Sequence, residues 1–156
     1  MTEKKINHSE REHALLSASS AHRWLACPPS AVAAEAYPSQ DTEYTREGTL
    51  AHEVAEIIAR ASRTGSSFMA EINAKRAKGE DVTQEMIDCA LEYADYIAEQ
   101  THGPDAVVLL EQRVDFSPWV PDGFGTADCI ILQGDTMDVI DYKYGQGVAV
   151  SAQDNP

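Results

Sequence analysis

Between residues 125 and 147 the chain reads GTADCIILQGDTMDVIDYKYGQG, and this stretch limits the fold more than any other. Two apolar runs, 127–132 and 137–144, are separated by Gln133, Gly134, Asp135 and Thr136. Short β-rich runs joined by a Gly-Asp pair predict a hairpin with a two-residue loop, because glycine supplies the positive φ that such a turn needs. With Gly134 and Asp135 as the loop, Gln133 pairs with Thr136 and the register carries Asp128 opposite Asp141. Directly opposed side chains stand with Cβ atoms about 4.5–5.5 Å apart, and like charges there repel. Lys143, two residues after Asp141, points to the same side, as do Ile130, Leu132, Met137 and Val139. The pattern predicts an apolar floor under two carboxylates and an ammonium. Such a pair is either a solvated acidic patch or a site that a divalent metal neutralises. A longer loop or an odd shift of register would send one aspartate to the other face.

The Asp-x-Lys of the second strand favours the metal. Carboxylates hold Mg²⁺ or Mn²⁺ with waters kept in the shell. The ion polarises a phosphate and lowers the pKa of an attacking water, while a lysine steadies that water or the developing charge. Gly125-Thr126-Ala127-Asp128 followed by Asp141-Tyr142-Lys143 resembles the PD-(D/E)XK nuclease superfamily, more closely its RecB-like exonuclease branch. It is also similar to a phage or prophage family of that branch whose function is not established. The resemblance implies an α/β, restriction-endonuclease-like core: helices first, then a three-stranded, mostly antiparallel sheet. It implies Mg²⁺- or Mn²⁺-dependent hydrolysis of DNA phosphodiester bonds, with Asp128, Asp141 and Lys143 catalytic. The implied metal ligands are His52, Asp128, Asp141 and the backbone carbonyl of Tyr142. The implied partners are DNA and phage recombination or replication proteins.

Charge pulls the other way. Twelve Lys and Arg against 26 Asp and Glu leave a formal net charge of −14, which argues against holding nucleic acid by bulk electrostatics, since such binding scales with the phosphates neutralised. It leaves room for an enzyme that meets phosphate through a metal. The three cysteines, Cys27, Cys89 and Cys129, are widely spaced and show no zinc pattern, which suits a reducing cytoplasm. No apolar run approaches the ~20 residues of a membrane span, and no apolar segment follows the charged N-terminus as in a secretion signal.

Residues 1–13 read as a mobile tail and 14–156 as a single domain. Ser17 or Ser19 is a candidate N-cap for a short helix that Pro28-Pro29 stops. The Ser-rich helix ending in Cys-Pro adds to the resemblance. In some relatives a cysteine there joins an iron–sulfur cluster, but no downstream trio accompanies Cys27, so it reads as a packed thiol and no cluster is expected. After a loop over 37–45, Leu50, Val54, Ile57, Ile58 and Ala61 recur at helical spacing as a buried stripe. His52 falls off that stripe, one turn before Glu56. A histidine on a polar helical face is commonly just solvated, yet Gly48-Thr49-Leu50-Ala51-His52 resembles the Gly-x-x-x-His helix of RecB-like enzymes, which implies a ligand. Glu47 and Glu56 read as helix-surface acids.

Gly65 ends that helix, and a further one over 66–78 closes at Gly79. Its Lys75, Arg76 and Lys78 are the concentrated basic stretch, a solvated face or a phosphate contact. Asp81 and Gln84 resemble a capping box for a helix whose apolar side holds Met86, Ile87, Ala90, Leu91, Ala94, Ile97 and Ala98. Cys89 and Tyr93 read as packing residues there, and Gly103-Pro104 ends the helix. The first strand lies within 105–116. Its start, Val107-Val108-Leu109-Leu110, suggests cover on both faces, and Glu111 reads as a salt-bridging edge residue that could add a carboxylate to the site. The superfamily core continues into another helix and strand, with a Gln-x-x-x-Tyr motif in this branch, and none of these is assignable here. The chain therefore reads as an N-terminal fragment of a longer protein. The rival to a nuclease is a catalytically inactive, nuclease-fold binding or assembly module of a phage or prophage system.

Overall fold

The computed structural model describes residues 14–37 and 42–145. The expected tail over 1–13 and the stretch after Gly145 lie outside the described residues. In chain order the elements are a 3-10 turn Ala18–Ser20, then helices α1 Ala21–Ala26, α2 Pro29–Glu35, α3 Glu43–Thr64, α4 Met69–Ala77 and α5 Gln84–Gln100. Strands β1 Val107–Asp115, β2 Phe124–Gln133 and β3 Thr136–Ile140 follow. The expected order of helices and then a three-stranded sheet is what the chain forms, with β2 central and β3 antiparallel to it. The described residues fall into two compact units, 14–37 with 113–126, and 42–112 with 127–145.

In the first unit, Ser17 precedes the 3-10 turn and Ser20 caps α1, neither through a side-chain bond. The carbonyl of Ser17 instead accepts the Trp24 indole N–H at 2.9 Å. Pro28-Pro29 stops α1 as expected, but Pro29 also opens α2, which the sequence reading lacked. Proline suits the first helical turn, where its missing N–H would have no partner. Cys27 is exposed rather than packed, because α1 ends in the residue before it and no apolar neighbour covers it. Gly123 closes the 116–123 loop, where a Cβ would stand 2.6 Å from the Phe116 ring.

The second unit carries the core. Helix α3 takes in the last three residues of the expected loop over 37–45, because the Thr42 side chain caps it by accepting from the Thr45 amide at 3.1 Å. It ends on Gly65 at φ 67°, a left-handed residue that glycine adopts without strain. Its inner face buries Ala51, Val54, Ala55, Ile57, Ile58, Ala59 and Ala61, with Leu50 only partly covered. Helix α5 meets it with Met86, Ile87, Ala90, Tyr93, Ala94 and Ile97. Its cap is Thr83, accepting from the Met86 amide at 3.1 Å, and not the expected Asp81. Thr83 stands three residues before that amide, the spacing a cap needs.

Val82, Ile72 of α4, Cys129 and Ile131 of β2, and Tyr142 complete this core. The hairpin is as read: Gln133 pairs with Thr136, Leu132 with Met137 and Ile130 with Val139, and Gly134 has φ 56°. Gln133 fastens it to α5. Its side-chain amide donates to the Gln100 carbonyl at 2.9 Å and accepts from the His102 N–H at 2.8 Å, satisfying groups that the helix end leaves orphaned. Two expectations about the sheet fail for one reason: the helices cover a single face. Cys129 and Ile131 take that face, so Leu132, Met137 and Val139 stay exposed, and of the apolar floor only Ile130 is buried. Val107 is likewise 49% exposed, so the start of β1 is not covered on both sides.

Candidate metal centre

Helix α3 turns His52 away from its buried stripe, and the packing of α3 against the sheet brings the imidazole to the end of the β2–β3 ladder. His52 Nδ1 stands 3.5 Å from Asp128 Oδ2, with side chains 32% and 15% exposed. The histidine ring meets the Tyr142 ring edge-on, centroids 5.3 Å apart. The ladder itself stops at Cys129 and Ile140. Just beyond it, the Tyr142 backbone N–H donates to Asp128 Oδ2 at 2.7 Å, so a side-chain carboxylate continues the pairing where the strands part. Tyr142 places its ring in the core. One residue thus orients both His52 and Asp128.

Glu111 completes the cluster. His52, Glu111 and Asp128 each bring one ligand atom to within 4.8 Å of the others. Glu111 has φ 45°, a left-handed backbone that a non-glycine residue rarely adopts in a strand. Held strain of this kind concentrates where a side chain has to be aimed. The expectation of an edge salt bridge at Glu111 gives way to this placement. Its sequence signal was slight: an acid ending an apolar run in the strand before Gly-x-x-Asp.

Asp141 and Lys143 sit further out. Their side chains are 64% and 78% exposed, and they pair with each other at 2.7 Å. Asp141 is not in the three-residue cluster. The register still runs toward Asp141 opposite Asp128, but the ladder ends one pair short and the Asp141 carboxylate is taken up by Lys143. The charge of Lys143 is felt at both His52 and Asp128.

The hydrogen bond to Asp128 holds the His52 pKa above its ordinary value, against burial and Lys143, with help from the charges of Asp128 and Glu111. Burial pulls the Asp128 carboxyl upward. The bonds from His52 and the Tyr142 N–H, with the charges of His52 and Lys143, outweigh it and hold the carboxyl below its ordinary value. Glu111 goes up, through burial first and then repulsion from Asp128 and Glu56. Like-charge repulsion thus falls on Glu111 with Asp128, rather than on Asp128 with Asp141.

The cluster is a mixed donor set that could hold a cation. It offers one imidazole and two carboxylates, and Glu111 is raised by burial first and by the charge of Asp128 second. A mixed nitrogen and oxygen set suits Mn²⁺ better than Mg²⁺.

The remaining acids and bases are used elsewhere. Glu56 pairs with Arg60 at 3.1 Å, and Glu47 lines a separate acidic cleft with Glu43, Glu53, Glu80 and Asp81. Lys75 pairs with Glu53 and Glu80, while Arg76 donates to the Val82 carbonyl at 2.8 and 3.0 Å. Lys75 and Arg76 of the basic stretch are therefore engaged in fastening α4 to its neighbours. Among the described residues, no helix is long and apolar enough to cross a membrane.

No solved structure matches the chain. A family model described as a protein of unknown function, DUF2800, matches residues 13–156, nearly the whole length, and the chain belongs to that family.

Proposed function

We propose that the chain is a Mg²⁺- or Mn²⁺-dependent nuclease acting on DNA, in the manner of RecB-like exonucleases with a restriction-endonuclease-like core. The observation that carries the reading is the convergence of His52, Glu111 and Asp128, from three separate elements, beside an Asp-x-Lys strand end. His52, Asp128 and Glu111 would hold the cation, with Asp141 and the Tyr142 carbonyl at the open side. When bound, the ion would polarise a phosphate and acidify a water. Asp128 is fixed for its part by the Tyr142 N–H. The imidazole must be neutral to bind, so His52 gives up its proton on loading. Lys143, exposed and paired with Asp141, would turn toward an incoming phosphate and stabilise charge that develops on it.

Charge supports a second reading, a catalytically inactive binding or assembly module. The net charge is −14, and Lys75 and Arg76 are engaged internally. An assay on linear single- and double-stranded DNA separates the two. Cleavage that needs Mn²⁺ or Mg²⁺, stops with chelator and is lost in Asp128→Asn and Lys143→Ala supports the nuclease. Activity equal in wild type and Asp128→Asn, or none at all, refutes it.

A further inference from the structure

In Asp141-Tyr142-Lys143 the middle residue is the buried one. Tyr142 is 6% exposed, whereas the side chains of Asp141 and Lys143 stand out in solvent. Its ring lies in the core, tilted against Tyr93 of α5 with centroids 4.9 Å apart, and meets the His52 imidazole edge-on at 5.3 Å and 78°. Its backbone N–H donates to Asp128 Oδ2 at 2.7 Å. Different atoms of one residue thus hold the carboxylate and abut the imidazole. His52 needs such a stop. The terminal torsion of a histidine is broad, so the helix backbone does not by itself fix how the ring is turned. The imidazole is 32% exposed, and its contact with Asp128, 3.5 Å from Nδ1, is longer than a well-formed hydrogen bond. A ring packed into the core on its far side supplies the missing constraint. Edge-to-face ring pairs favour one arrangement by about two- to tenfold beyond the area they bury.

We propose that Tyr142 is a positioning residue whose ring fixes the His52 imidazole toward Asp128, so that the middle position of Asp-x-Lys in this chain requires an aromatic side chain. A leucine there fills part of the same core space but offers no rigid flat ring, and leaves the imidazole free to rotate toward solvent. Phenylalanine keeps the ring. The Tyr142 hydroxyl is buried and has no hydrogen-bond partner among the described residues, so its removal breaks no bond. Either substitution keeps the backbone N–H, and with it the bond to Asp128. The inference deepens the cluster reading, and it rests on the His52–Asp128 contact rather than on nuclease activity.

The test is a double-mutant cycle between His52→Ala and Asp128→Asn, run by urea unfolding in chelator in three backgrounds: wild type, Tyr142→Phe and Tyr142→Leu. Any loss of core packing in Tyr142→Leu is common to all four corners of its cycle and cancels, so the coupling reports orientation and not stability. The coupling constant is expected to be unchanged in Tyr142→Phe and about two- to tenfold smaller in Tyr142→Leu. Mn²⁺ titrated calorimetrically is expected to bind wild type and Tyr142→Phe alike, and Tyr142→Leu more weakly by a similar factor. Equal coupling in Tyr142→Leu and wild type overturns the proposal. So does coupling lost equally in Tyr142→Phe, which assigns the effect to the hydroxyl. Should Tyr142→Leu not fold, wild type still decides: nuclear Overhauser contacts between the His52 imidazole protons and the Tyr142 ring protons are expected, and their absence overturns the proposal. Coupling that depends on the ring in a protein that binds no Mn²⁺ upholds Tyr142 and refutes the cation reading alone.

Discussion

The contact between His52 and Asp128 makes a prediction about pH that ordinary packing does not. His52 titrates above its usual 6.5 in the folded chain, so its contribution is complete below that value and disappears as pH rises through the folded pKa. Asp128 titrates below its usual 3.8, so its contribution is present above that value and disappears as pH falls through the folded pKa. Both groups are charged from about pH 4 to about pH 6.5, and there the pair stabilises most. Two unit charges about 4 Å apart attract by about 4 kcal/mol at an effective dielectric of 20. The contact is 3.5 Å with the imidazole 32% exposed, so desolvation and solvent screening reduce this to about 1–2 kcal/mol. With a neutral imidazole about 0.5 kcal/mol remains. The assay is a double-mutant cycle, wild type, His52→Ala, Asp128→Asn and the double variant, each unfolded in urea at pH 5.5 and pH 9. Asparagine keeps an oxygen for the Tyr142 N–H, so the cycle isolates the charge. The coupling energy is expected to fall by about 1 kcal/mol between the two pH values. Equal or larger coupling at pH 9, or a His52 pKa below 6.5 by NMR titration, would refute the reasoning.

Mn²⁺ is expected to raise the melting temperature, since a ligand at a hundredfold excess over Kd adds about 2.7 kcal/mol of stability; thermal melts should show the rise abolished in Asp128→Ala and reduced in Glu111→Gln. The same melt of Asp141→Ala decides whether Asp141 leaves Lys143 to join the cation. Gln133→Ala is expected to cost about 1–2 kcal/mol in urea unfolding, because the Gln100 carbonyl and the His102 amide lose their partner.

Local chemistry made much of this legible without coordinates. A Gly-Asp pair between apolar runs has few conformations open to it, so the hairpin and its register followed from residues 127–144 alone. The buried faces of α3 and α5 followed from 3.6-residue periodicity, because a helix sorts its side chains by that spacing whatever it packs against. His52 stood off the stripe, where a histidine is commonly just solvated, and only the resemblance of Gly48-Thr49-Leu50-Ala51-His52 to the RecB-like helix singled it out. The helix α2 was missed because proline was taken only as a terminator, and Thr83 because an acid two residues earlier offered a rival cap. Tertiary packing decided the rest. Which sheet face the helices cover is a property of helices and sheet together, and it left Leu132, Met137 and Val139 exposed although alternation gave them an apolar face. A register fixes opposition only while two strands stay paired. They part after Cys129 and Ile140, and the Tyr142 N–H turns to the Asp128 carboxylate, leaving Asp141 to Lys143. Glu111 joins His52 and Asp128 through a left-handed residue inside a strand, a conformation that no side-chain pattern announces, since the surrounding structure holds it against its local preference.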